Sequence, residues 1–140
     1  LLGVFDGAKI AEPAFGLSAH CNRVPVIDGH LVTMSVETER PVTPELAVAA
    51  MRDFRSQAVA GLPTAPEAPI VVRDEPNRPQ TRRDRMTGNG MSIVVGRVRP
   101  EPLFGAHGVK FITLSHNTLR GAAGGSVLNA ETFWRMGLAD

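Results

Sequence analysis

Tyrosine is absent from the 140 residues, cysteine occurs once, at Cys21, and lysine only twice, at Lys9 and Lys110. A single thiol excludes an intramolecular disulfide and a zinc site built from cysteines, and it suits a reducing, cytoplasmic setting. No apolar run approaches the roughly twenty residues needed to cross a bilayer, and no basic segment followed by an apolar core opens the chain. A membrane-spanning or visibly targeted protein is therefore not expected. Charge of one sign is lacking too: fifteen basic side chains face fourteen acidic ones for a net charge of +1, which gives no long-range attraction for nucleic acid or an anionic membrane. Arg82, Arg83, Arg85, Arg97 and Arg99 could line a nucleic-acid contact, but no aromatic residues are interleaved with them for base stacking. No metal site is expected.

What is present reads as a globular chain long enough to bury one ordinary core. It opens on Leu1 rather than Met, in the apolar stretch Leu1-Leu2-Gly3-Val4-Phe5, which reads as the cut end of a helix or loop, and so as a fragment. From Phe15 to Val26, Leu17, Ala19, Cys21, Val24 and Val26 suit an extended, largely buried strand. Asp28-Gly29 is a strong hairpin signal, because type I′ turns need positive φ at both central positions. The return strand, His30 to Glu37, places Val32, Met34 and Val36 on one face and Thr33, Ser35 and Glu37 on the other.

Thr43-Pro44-Glu45 starts a helix with a hydroxyl cap and proline at its first position, and the spacing of Leu46, Ala49, Ala50 and Phe54 predicts an amphipathic helix over 44–58, closed by Gly61-Leu62-Pro63. A short strand is expected at Ile70-Val71-Val72, irregular backbone with exposed Arg82, Arg83 and Arg85 from Asp74 to Gly90, and strands at Met91 to Val98 and Val109 to Ser115. Gly121 to Arg135 looks helical at its far end. Strands around one convincing helix predict an α+β fold, a mixed, mostly antiparallel sheet covered on one side by helices.

Arg23 and His30 flank the expected turn. If 28 and 29 form a two-residue loop, residue 27 pairs with 30, and Arg23 lies an even step back on the same face, about 13 Å away along the strand. That gap would fit a short carboxylate-bearing substrate, gripped bidentately by Arg23 and reached by His30 as proton donor or acceptor. Local physics leaves other roles open: a histidine beside a tight turn is more often a surface or capping residue, and an arginine on an apolar face is ordinarily a structural ion-pair partner.

Ser18-Ala19-His20-Cys21-Asn22-Arg23-Val24-Pro25-Val26-Ile27-Asp28-Gly29-His30 resembles the segment that carries the substrate arginine and catalytic histidine in the archaeal and fungal branch of the aspartate-semialdehyde dehydrogenases. Asn77-Arg78-Pro79-Gln80 with Arg83-Asp84-Arg85, and Ser115-His116-Asn117-Thr118-Leu119-Arg120-Gly121-Ala122-Ala123-Gly124 ending in Leu128-Asn129-Ala130-Glu131, agree in order, so the resemblance runs from about Leu2 to Glu131. It implies the C-terminal domain fold of the glyceraldehyde-3-phosphate dehydrogenase-like family and an NADP-dependent reaction through a cysteine thioester, which reduces L-β-aspartyl phosphate to aspartate semialdehyde and phosphate in amino-acid biosynthesis. On this resemblance Arg23 binds the substrate carboxylate, His30 is the acid/base, and Asn129 with Gly124 and Gly125 approaches the nicotinamide end of NADP. Glycines at such positions let backbone approach a ligand, or equally let a helix pack tightly.

The family's nucleophilic cysteine and its glycine-rich cofactor domain lie upstream of this segment. Cys21 does not stand in the nucleophile's motif and reads as an inert core thiol. The polypeptide alone is therefore expected to be inactive: residues 1–120 form a catalytic and dimerisation unit, and 121–140 a C-terminal helix whose Leu128, Phe133, Trp134 and Met136 are left partly exposed without the cofactor domain, free to swap or fray. A homodimer through the sheet is expected, with Ile93-Val94-Val95 and Phe111-Ile112-Thr113-Leu114 as candidate contact strands. The alternatives are a related acyl reductase such as a malonyl-CoA reductase, or a purely structural dimerisation fragment.

Overall fold

The computed structural model describes residues 4–5, 10–11 and 15–138. Val4–Phe5 (β1) and Ile10–Ala11 (β2) form an antiparallel two-stranded ladder of their own, so the apolar opening, expected as a helix or loop end, enters a strand at Val4. The main sheet contains His30–Glu37 (β3), Ile70–Arg73 (β4), Ile93–Pro100 (β5) and Gly108–Ser115 (β6) in the spatial order β3-β6-β5-β4. Both pairs involving β6 are antiparallel and β4 with β5 is parallel, which makes the sheet mixed and mostly antiparallel as the sequence implies.

Alternation along the strands sorts the core onto two faces. Val95, Val109 and Phe111 form a buried cluster with Val36, Ile70, Val72 and Ile93 around it. The helix Pro44–Asp53 (α1) covers this face through Ala47 and Met51. The Thr43 hydroxyl caps α1 by accepting the Leu46 N–H at 3.3 Å. The helix stops at Asp53 rather than continuing to 58, because Phe54 turns extended with ψ 124°. On the opposite face Val94 and Leu114, paired in register, are almost wholly buried. There the loop leading into the short helix Thr81–Asp84 (α2) closes on the sheet, and Gly96 is needed, since a Cβ would fall 2.4 Å from the Arg78 carbonyl oxygen.

The expected dimer strands are therefore core strands, with Val94, Val95, Phe111 and Leu114 inside the protomer. Within the sheet, apolar side chains are left open instead on β3, an edge strand, where Leu31, Val32 and Met34 are 49%, 46% and 39% exposed.

A turn of π-helix at Leu119–Ala123 runs directly into the helix Gly124–Arg135 (α3). Glu131 accepts from the Thr64 N–H and hydroxyl at 3.0 and 2.6 Å, and Arg135 donates to the Ala60 carbonyl at 2.7 Å. This corrects the expectation of a frayed helix: Leu128 is buried, while Phe133, Trp134 and Met136 remain exposed. Among the described residues no helix is long and apolar enough to cross a membrane.

Candidate active site

The segment from Phe15 to Gly29 is not a strand, and Phe15, Leu17 and Val24 are exposed. The expected hairpin fails at its turn. Gly29 adopts φ 102° but Asp28 does not enter positive φ, so a type I′ turn, which needs both, cannot close. Gly29 is held elsewhere: its N–H donates to the Asn117 side-chain oxygen at 2.8 Å, and Asp28 lies 3.9 Å from the Arg85 guanidinium. His30 pairs not with residue 27 but with Ser115 of β6. Cys21 and Arg23, read as strand residues on a buried face, are exposed.

The hairpin arithmetic is thus overturned, yet Arg23 and His30 share a cleft. Both line a cleft of about 1020 Å³, bounded by the 20–32 segment on one side and by Pro79, Gln80, Thr81 and Asn117 on the other. His20 and Cys21 open onto it as well. Asn129, Gly124 and Gly125 are not among the lining residues; they sit on α3. A Cβ at Gly124 would fall 2.5 Å from the Met91 sulfur, and one at Gly125 would fall 2.5 Å from the Arg120 carbonyl oxygen. Gly124 thus lets α3 pack closely on Met91, and Gly125 lets it follow tightly on the π-turn. Asn129 is exposed, its amide able both to donate and to accept.

The far wall of the cleft stands on a buried carboxylate. Asp84, 1% exposed, accepts from Arg78 Nε at 2.7 Å, from Arg78 Nη2, and from the Gln80 N–H at 2.7 Å, with Arg73 Nε 3.4 Å away. Burial pushes the Asp84 carboxyl up, but the hydrogen bonds from Arg78 and Gln80 and the charges of Arg78 and Arg73 outweigh it and hold the group below its ordinary value. The same contact keeps Arg78 charged. This network ties Gln80, at the cleft, to β4 through Arg73. Arg82 and Arg83 are exposed as expected, but Arg85 is half-buried beside Asp28.

Sequence reasoning overlooked Asn117, Gln80, Thr81 and Asp84 as parts of the site. Asn117, Gln80 and Asp84 stand inside the motifs that carry the resemblance, which was the available signal. Their roles depend on contacts between distant segments. A buried imidazole, His116, accepts the Thr118 and Leu119 N–H groups on Nδ1 at 3.3 Å each, capping the π-turn that follows Asn117.

The family described as semialdehyde dehydrogenase, dimerisation domain, matches residues 5–120. The chain is 55% identical over 131 residues to an aspartate-semialdehyde dehydrogenase of Archaeoglobus fulgidus, covering 94% of this chain and 36% of that protein. It is 45% identical over 132 residues to the enzyme of that name from Methanothermobacter thermautotrophicus, covering 94% and 38%. Among solved structures, aspartate semialdehyde dehydrogenase with NADP from Candida albicans superposes with a TM-score of 0.74 at 40% identity, over 85% of this chain and 33% of that one. The fold is accordingly that of the glyceraldehyde-3-phosphate dehydrogenase-like C-terminal domain. The chain spans about a third of the length of the curated relatives it matches. On its motifs, its sheet and these likenesses, the chain belongs to the semialdehyde dehydrogenase family, through that family's dimerisation domain.

Proposed function

We propose that this chain is the C-terminal, substrate-holding part of a cytoplasmic NADP-dependent aspartate-semialdehyde dehydrogenase, with the nucleophilic cysteine and most of the cofactor site contributed from outside these 140 residues. The observation that carries the reading is the single cleft onto which Arg23 and His30 both open, although they lie on different kinds of backbone. Arg23 offers a planar fork matched to the substrate carboxylate. His30, fixed at the start of β3, lends a proton to, or takes one from, the reacting carbonyl region at neutral pH. NADPH would supply the hydride when bound. Asn129, exposed on α3, would hold its nicotinamide end, and Gly124 and Gly125 would serve it indirectly, by setting how closely α3 packs. Residues 121–140 would present Phe133, Trp134 and Met136 to the cofactor domain.

Homodimerisation is the role named for the matched domain, and the contact would run through the exposed apolar residues of β3. The test is NADPH oxidation by the full-length enzyme that carries this chain, with aspartyl phosphate and with phosphate-free CoA thioesters. Arg23→Lys is expected to raise KM about 10- to 100-fold with kcat nearly kept, and His30→Asn to lower kcat by roughly 10²- to 10⁴-fold. Turnover of the CoA thioester alone would favour a malonyl-CoA-type reductase, and unchanged kinetics in both variants would remove the site assignment.

A further inference from the structure

Beyond Arg23 and His30, the cleft holds a side chain that bonds backbone far away in sequence. Asn117 reaches across from the end of β6 and accepts the Gly29 N–H at 2.8 Å through its side-chain oxygen. Gly29 is buried, and its φ of 102° is one that only glycine holds easily. It is wedged against Leu114 Cδ1, Thr81 Cγ2 and Arg85 Cβ, each within 4 Å of where a Cβ would stand. The next residue is His30, whose only regular tether is its place opposite Ser115 in the ladder. On the other side of Gly29, the 15–27 segment has no ladder partner among the described residues, so motion there would reach His30 unless it is stopped at residue 29.

We propose that Asn117 is a positioning residue for His30: by holding the Gly29 amide it isolates the imidazole from the irregular segment before it and fixes the ring at the mouth of the cleft. Asp28, drawn toward Arg85 on the neighbouring wall, is a second and looser tether on the same turn. This rests on the reading of His30 as the acid/base. It predicts that the side-chain acceptor matters and the amide nitrogen does not, so aspartate should substitute for asparagine where alanine cannot.

The experiment compares Asn117→Ala and Asn117→Asp in the full-length enzyme by steady-state kinetics, by the pH profile of kcat/KM, and by hydrogen exchange at the Gly29 amide. Asn117→Ala should lose Gly29 protection and about tenfold in kcat, equivalent to ~1.4 kcal/mol, with KM little changed. Asn117→Asp should keep the protection and most of kcat, with the histidine limb of the profile moved to higher pH by the added charge. Lost protection with unaltered kcat, or an aspartate variant as impaired as the alanine one, overturns the inference. If the alanine variant does not fold, the aspartate variant decides alone. His30→Asn with normal kcat would instead overturn the reading beneath it, whatever the Gly29 amide does.

Discussion

Replacing Gly29 with alanine should be costly. Two effects add. A non-glycine residue at φ 102° pays backbone strain of about 1–3 kcal/mol, and the new Cβ would stand 2.9 Å from Leu114 Cδ1, whose side chain is 1% exposed and has little room to retreat. Overpacking of that kind costs about 1–3 kcal/mol. Lower entropy in the unfolded chain returns only about 0.4–1 kcal/mol. A net loss of about 3 kcal/mol is expected. With a urea m-value of about 2 kcal/mol/M, the midpoint should fall by roughly 1.5 M. Gly16→Ala is the matched control, because nothing lies within 4 Å of its Cβ position and its φ is not in the left-handed range; it should be neutral or stabilising by up to about 0.5 kcal/mol. Urea unfolding followed by circular dichroism measures both. A Gly29→Ala midpoint within about 0.3 M of wild type, or a Gly16→Ala loss of similar size, would refute the reasoning.

Asp84→Asn should cost about 3–5 kcal/mol, since it leaves Arg73 and Arg78 facing a neutral group in a buried setting. Because the folded Asp84 carboxyl is held below its ordinary value of 3.8, its contribution is complete above that pH and is lost as pH falls through the lower folded value; acid titration should show wild type losing more stability below about pH 4 than the variant, in which only carboxylates such as Glu45 and Glu101, also held low, still respond. Gly124→Ala should destabilise α3 by about 1–3 kcal/mol through collision with Met91, and a variant of wild-type melting temperature with weakened NADP binding would show that the glycine serves the cofactor directly. Met34→Asp, on the exposed edge strand, should shift sedimentation from dimer toward monomer without changing the far-ultraviolet spectrum.

The parts of the fold that could be read from the sequence are those with strong local patterning. The alternation in His30 to Glu37, the β-branched runs around Val94 and Ile112, and the Thr43-Pro44 helix start all emerge within one to three residues of where they were placed. What escaped depends on distant partners. The Phe15 to Val26 segment has strand-like residues, but Gly29 is bonded to Asn117 and the turn needed for pairing never closes. The end of α1 was placed too late because the periodicity at Phe54 continues while its backbone does not. Arg23 and His30 line one cleft, but not for the reason the hairpin suggests: the loop that carries Arg23 borders the start of β3, and the two share no strand face. Asn117 and Asp84 lie inside the stretches that carry the resemblance, but nothing local distinguishes an asparagine that holds a backbone amide across the molecule from one that caps a turn.

The position of β6 in the sheet also governs the order in which the molecule can be made. It is the last of the four strands to leave the ribosome, yet it lies between β3 and β5 and pairs with both. Until Ser115 has been synthesised, β3 has no ladder, β5 has only its parallel neighbour, and the apolar strands wait in an unfinished chain. Such long-range closure is slow and leaves strand edges open to aggregation. The sheet should therefore form in one late step, when β6 inserts. Asn117 follows two residues behind Ser115, so the clamp on Gly29 arrives with the strand that completes the core, and the cleft is assembled by the event that makes the fold stable.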